Sequence, residues 1–189
     1  MRYAPEHNDA TRERILEAAS QLFREHGIAA VGLAKIMAEA DLTVGAFYTH
    51  FKSKEALLRE ALLRSLDARY EALRHAIHEA DLETAVRAYL SPEHRDASGT
   101  GCPVAALASE VARHPRATRH AFAVHNVPTL DALAAWLSAR RGKEVSRADA
   151  AAFLGLLAGT LQLARATPEG AESDAILEAG VRAAIRLAT

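Results

Sequence analysis

Residues 41–58 read DLTVGAFYTHFKSKEALL. Small and hydroxyl residues open the stretch, an aromatic and basic knot follows, and a long apolar-periodic run begins after it. Asp41 and Leu42 have the character of a tight turn, and Thr43 is a competent N-cap for a short helix over 44–50. Phe47 and Phe51 stand four apart and so share the inward face of that unit. Ser53 caps the next helix, with Glu55 well placed in its first turn. Its apolar positions Leu57, Leu58, Ala61, Leu62, Leu66 and Leu73 persist to about residue 79.

Upstream, a first helix is expected to start near Asp9 or Thr11. Its buried face is Ile15, Ala18, Ala19, Leu22 and Phe23, and Gly27 ends it. A short helix over about 33–40 carries Leu33, Ile36 and Met37. Two short helices joined by a tight turn and braced by a preceding helix make a helix-turn-helix. The major groove of B-DNA admits one helix, and the second short helix is the one that enters. Thr43, Val44 and Ala46 are small enough to approach bases. Tyr48, Thr49 and His50 offer polar tips, and Lys52 and Lys54 add charge for phosphates.

The pair TRERILEAASQLFREHG and IMAEADLTVGAFYTHFKSKEALL resembles the TetR/AcrR family of transcriptional repressors, most specifically in the order G-x-x-Y-x-x-F-x-x-K. The resemblance is near continuous over residues 11–58. It implies a homodimer that binds a near-palindromic double-stranded DNA operator and is released by a small-molecule inducer. Carried over by position, Thr43, Val44 and Ala46 face bases and Tyr48, His50 and Lys54 hold phosphates. Lys35 lies at the start of the bracing helix, where the family also touches DNA. Val31 and Gly32 stand where the family has Thr or Ser, and Asp41 stands where it has Gly. Glycine is an adequate N-cap, and aspartate tolerates the left-handed backbone.

Bulk charge does not announce this function. The formal net charge of the 189-residue chain is −1, and residues 1–56 hold seven Lys/Arg against eight Asp/Glu. A basic lobe, the usual footprint of a nucleic-acid binder, is absent. The single cysteine rules out an intrachain disulfide framework and suits a reducing compartment. The N-terminus MRYAPEHNDATRERI has no apolar core of a signal peptide. The most apolar run, 150–164, is shorter than the roughly 20 residues that span a bilayer. A cytoplasmic protein without a membrane partner is expected.

The remaining helices read as about 82–90, 103–113, 115–140, 147–165 and 173–188, with SPEHRDASGTG (91–101) as a polar loop. The expected architecture is all-α, with about nine helices. Residues 1–54 form a three-helix DNA-binding domain, and 55–189 form a helical regulatory and dimerisation domain. Ser146 with Asp149 has the form of a capping box, and Pro103 and Pro115 suit first-turn positions. The run ADAAAFLGLLAGTLQLARAT is apolar nearly all round, so it is buried on more than one side. With the last helix it is assigned to a four-helix dimer seam through Leu154, Gly155, Ala158, Leu161, Leu177, Val181 and Ala184. Gly155 and Gly159 are taken as points of close helix approach.

Cys102 stands at a loop-to-helix junction in TGCPVAALASEVARHP, with His94 and His114 as possible neighbours. Helix N-termini favour thiolates, which makes this residue a candidate sensor of oxidants or electrophiles. The segment GCPVAALASEV also resembles a subgroup that includes an electrophile-sensing repressor of N-ethylmaleimide reduction. Ligand-binding candidates are Cys102, Tyr70, Phe122, His125, Asn126 and Gln162, with Tyr89, Trp136 and Phe153 as apolar neighbours. The nine histidines show no zinc-ligand spacing. No nucleophile elbow, metal motif or phosphate loop is present, so neither a cofactor nor an enzyme is expected. The alternative is a helical small-molecule or lipid-binding module of the same fold that does not bind DNA.

Overall fold

The computed structural model describes residues 5–189, with side chains from Asn8 onward. Residues 1–4, part of the segment read as lacking a signal-peptide core, lie outside the described residues. The described chain is all-helical: α1 (Pro5–His26), α2 (Leu33–Glu39), α3 (Val44–His50), α4 (Lys54–Glu79), α5 (Leu82–Tyr89), α6 (Pro92–Asp96), α7 (Pro103–Val111), α8 (Arg116–Arg141), α9 (Arg147–Ala166) and α10 (Ala171–Ala188). No described helix is long and apolar enough to cross a membrane.

Most helix ends follow local chemistry. The Ser53 hydroxyl accepts from the Ala56 amide and starts α4. Ser146 and Asp149 close a reciprocal capping box at α9. Gly27 and Asp41 take positive φ after α1 and α2, at 83° and 53°. Gly32 and Thr43 are the N-caps of α2 and α3, and neither makes a side-chain cap bond. Two boundaries differ from expectation. α1 begins at Pro5 rather than near Asp9, since proline suits a first turn. Pro115 is the N-cap of α8 rather than a residue of its first turn.

The tenth helix is α6, inside the segment expected to be a loop. Its five residues are too few to show a period. Ser91 nonetheless caps it through the His94 amide, and Pro92 occupies the first turn. Arg95 is buried there by its bonds to Asp96, Ser173 and Asp174, which satisfy its guanidinium.

Two cores divide the interior. The first joins α1, α2 and α3 through Ile15, Phe23, Ile36, Met37, Phe47 and Phe51. It extends past residue 54 into α4 (Leu57, Leu58, Leu62, Leu66) and takes Leu107 and Val111 from α7. The second gathers Leu73, Val86, Trp136, Phe153, Leu157, Leu161, Leu177 and Val181 from α4, α5, α8, α9 and α10. Polar links also tie α4 to α1: Arg12 pairs with Glu60, Arg64 pairs with Glu13, and the buried hydroxyls of Ser20 and Ser65 meet at 2.6 Å.

Leu154, Ala158, Leu161, Leu177, Val181 and Ala184, assigned above to a dimer seam, are buried in the chain's own core. They cannot line an interface. An all-round apolar helix gives no phase, and here the bulky residues turn inward. Of that set, Gly155 alone is exposed. Neither Gly155 nor Gly159 has another part of the chain within 4 Å of an added Cβ. The close approach lies at Gly180, where a Cβ would collide with Thr160 Cγ2. The outward face of α9 is instead Ala148, Ala151, Ala152, Gly155 and Leu163, with Leu163 64% exposed. Ala175, Ala179 and Leu187 lie exposed on α10.

Candidate nucleic-acid interface and effector cavity

α3 is held from behind and open in front. Phe47 is fully buried and stacks on Phe51 at 5.8 Å between ring centroids. Thr43, Val44, Tyr48 and Thr49 are exposed, and Ala46 and His50 are half-buried. Tyr48 is 68% exposed, far more than a tyrosine ring needs for its hydroxyl alone to reach water. Lys35 and Lys52 are exposed near the same helices. Burial first, then the Arg12 guanidinium, holds His50 below the usual histidine range. At neutral pH its imidazole is therefore an uncharged donor rather than a cation.

Lys54 is placed differently from the expected phosphate clamp. Its ammonium donates to the Ile28 carbonyl at 2.9 Å and lies 5.9 Å from the centre of the Phe23 ring. It fastens the start of α4 to the turn after α1.

Two further contacts grip this head from the rest of the chain. Glu110, near the end of α7, accepts the Ile28 and Ala29 amides at 3.1 and 3.0 Å. Glu55, in the first turn of α4, accepts from Thr118 of α8 and meets His114 Nδ1 at 3.0 Å. His114 is thus tied to the head and not to Cys102.

The start of α7 borders a cavity of about 510 Å³. Apolar side chains of α4, α5, α8 and α9 form most of its wall, among them Leu73, Val86, Leu133, Phe153 and Leu157. Its polar residues include Arg24, Arg69, Tyr89, Glu93, His94, Cys102 and Trp136. Of the expected ligand residues, Cys102 lines it. Tyr70, Phe122, His125, Asn126 and Gln162 do not. Phe122 packs against the first core, and Gln162 donates to the Ala105 carbonyl at 2.6 Å. Those residues are polar or aromatic, but their helix phase turns them away from the cavity. Tyr89, Trp136 and Phe153 do reach it. Arg24 and Arg69 were not expected, because nothing in a surface-like arginine on a long helix marks it as inward.

Cys102 is 1% exposed and is the N-cap of α7. Its amide donates to His94 Nε2 at 3.1 Å, while His94 Nδ1 donates to the Tyr89 carbonyl at 2.6 Å. Both ring nitrogens are therefore committed, and the ring is fixed as one neutral tautomer. Burial keeps His94 below its ordinary pKa, against the raising effect of the Tyr89 carbonyl. Burial, and then the neighbouring Cys102, pushes the Tyr89 phenol up, so it stays protonated. No group of three or more metal-ligating side chains occurs among the described residues.

A short exposed helix backed by two buried phenylalanines, after a tight turn and a bracing helix, defines the class of helix-turn-helix proteins. Residues 15–61 match the tetR family of bacterial regulatory proteins, and the chain's similarity to the TetR/AcrR family is carried by that segment. The chain is 32% identical to the HTH-type transcriptional regulator UidR of Escherichia coli over 109 residues, 56% of this chain and 54% of that protein. It is 38% identical to the HTH-type transcriptional regulator TtgR of Pseudomonas putida over 81 residues, 43% of this chain and 38% of that one. The chain thus spans at most about half the length of these curated relatives. Its fold matches that of reduced E. coli NemR with a TM-score of 0.76 at 23% identity, over 94% of this chain and 96% of the other.

Proposed function

We propose that the chain is a homodimeric transcriptional repressor, acting in the cytoplasm, that binds a near-palindromic operator and releases it when the cavity beside α7 is filled or modified. The observation that carries this reading is the α3 surface. Thr43, Val44, Tyr48 and Thr49 stand free to enter a major groove while Phe47 and Phe51 hold the helix rigid. In this reading residues 1–54 are the DNA-binding domain and 55–189 the regulatory domain. Val44 and Ala46 face bases with Thr43. Tyr48, Thr49, His50, Lys35 and Lys52 reach phosphates, and Lys54 instead fastens the start of α4 to the turn after α1.

Coupling runs along α7. Its first end borders the cavity at Cys102, and its last turn holds the turn after α1 through Glu110. A ligand or adduct that tilts α7 therefore moves the head directly. Dimerisation uses the outward stripe of α9 and α10 around Gly155 and Leu163.

Fluorescence anisotropy on duplexes tiling the DNA beside the chain's own coding sequence tests the repressor reading. Tyr48→Ala with Lys52→Ala weakens binding and lowers the salt slope by about 1. Binding that is unchanged in this double variant removes the assignment.

The Cys102 thiol is a second route of release, supported by its place on the cavity wall. Cys102→Ser keeps operator binding and loses release by N-ethylmaleimide. Full release in that variant eliminates the thiol route and leaves the cavity route standing.

A further inference from the structure

Among the described residues, three polar atoms on the wall of the 510 Å³ cavity meet no nitrogen or oxygen partner: Arg69 Nε, Trp136 Nε1 and Tyr89 Oη, whose neighbour is the weakly accepting Cys102 thiol. Tyr89 and Trp136 are each more than nine-tenths buried. Buried polar groups need partners, and leaving one unmet costs roughly 1–3 kcal/mol. The partners of these three therefore come from the cavity's contents. Arg69 Nε and Trp136 Nε1 can only donate, and the protonated Tyr89 hydroxyl donates as well. The missing chemistry is that of an acceptor.

Charge narrows it further. Arg69 lies over the Tyr89 ring, 5.2 Å from its centroid, and Arg24 is the cavity's other cation. The acidic lining residue is Glu93, which is exposed. His94 is held neutral between the Tyr89 carbonyl and the Cys102 amide. Ser65, Ser91 and Thr100 add neutral hydroxyls, the rest of the wall is largely hydrocarbon, and the volume lies in the range of small-molecule sites, about 300–1,000 Å³.

We propose that the cavity takes a small amphipathic organic anion, with an acceptor head such as a carboxylate on Arg69 and Tyr89, a hydrogen bond from Trp136, and an apolar body against Val86, Phe153 and Leu157. This deepens the effector reading and rests on it. The head displaces water from donors that lack a protein partner, and the body gains the burial of an apolar wall. A cation would meet Arg24 and Arg69 with no compensating carboxylate in the interior. A neutral alcohol fills the same space but forfeits the charge-assisted bond to arginine, which is roughly twice as strong as a neutral one.

Trp136 is the sole tryptophan, so intrinsic fluorescence reports occupancy directly. The test titrates the full chain with three molecules sharing one body: 4-phenylbutyrate, 4-phenylbutan-1-ol and 4-phenylbutylamine. The acid is expected to bind at least about tenfold tighter than the alcohol, and the amine weakest. Arg69→Met erases the preference for the acid and leaves the affinity for the alcohol near that of the parent, which also confirms that the variant is folded. Equal binding of acid and alcohol, tighter binding of the amine, or no response to any of the three overturns the proposal. So does an acid preference that survives Arg69→Met. The head-group order in the parent chain decides without any variant. The titration contains no DNA, so it separates from the repressor reading: binding of the acid without release of an operator supports the ligand class and counts against release.

Discussion

Lys54 shows how one side chain can carry a different duty from the one its sequence position suggests. As the last residue of the G-x-x-Y-x-x-F-x-x-K order it is expected on a phosphate. In the fold its ammonium is spent on the Ile28 carbonyl and the Phe23 ring. Lys54→Met is predicted to lower unfolding free energy by about 2–4 kcal/mol, the sum of a charged hydrogen bond and a partly buried cation–π contact. Chemical denaturation measures it. Unchanged stability together with weakened DNA binding would return Lys54 to the phosphate set. Tyr48, by contrast, keeps the exposed position that the spacing implies. The difference between the two was not legible, because the length of a lysine stem lets the same residue reach inward or outward. The partnerless donors of the cavity were equally hidden. Trp136 and Tyr89 are expected as apolar neighbours, and only the fold leaves their polar atoms without a nitrogen or oxygen partner among the described residues.

At the scale of elements, caps were the most legible feature and helix phase the least. Ser53, Gly27, the Ser146–Asp149 box and the left-handed Asp41 all stand as local chemistry demands. Periodicity placed the inward faces of α1 and α4 because those helices have distinct polar sides. It failed on α9, which is apolar all round, so the expected interface residues Leu154, Ala158 and Leu161 proved to be core. It also missed α6, whose five residues are too few to show a period and whose Arg95 is satisfied by Asp96 and by Ser173 and Asp174 of α10. The most consequential element for function is α7, which carries no signal of its role beyond Pro103. Its two ends touch the cavity and the head. Glu110→Ala removes two amide partners, and is predicted to cost about 1–3 kcal/mol of stability. It also blunts release of DNA by a cavity ligand relative to DNA affinity itself. Operator titrations with and without ligand separate these effects. An undiminished ligand response in Glu110→Ala would take α7 out of the coupling path.

The whole molecule is two cores sharing α4 and α7, with a near-neutral overall charge that gives no sign of the proposed nucleic-acid interface. With few cations on each head, affinity must come from two heads acting together, so the account depends on the dimer. The outward face of α9, mostly alanine and glycine with the exposed Gln162 and Leu163, allows close packing of a second copy. Gly155→Glu with Leu163→Glu is predicted to give a monomer of 20.3 kDa by light scattering, and to lose operator binding with its fold intact. A dimer that persists in this variant would place the seam elsewhere. The central claim, that α3 reads DNA, is met most directly by selecting duplexes from a random-sequence pool on the purified chain. The account predicts enrichment of one two-fold symmetric site, and its loss in Tyr48→Ala with Lys52→Ala. A pool that stays random after repeated selection, or the same site enriched by the double variant, would contradict it.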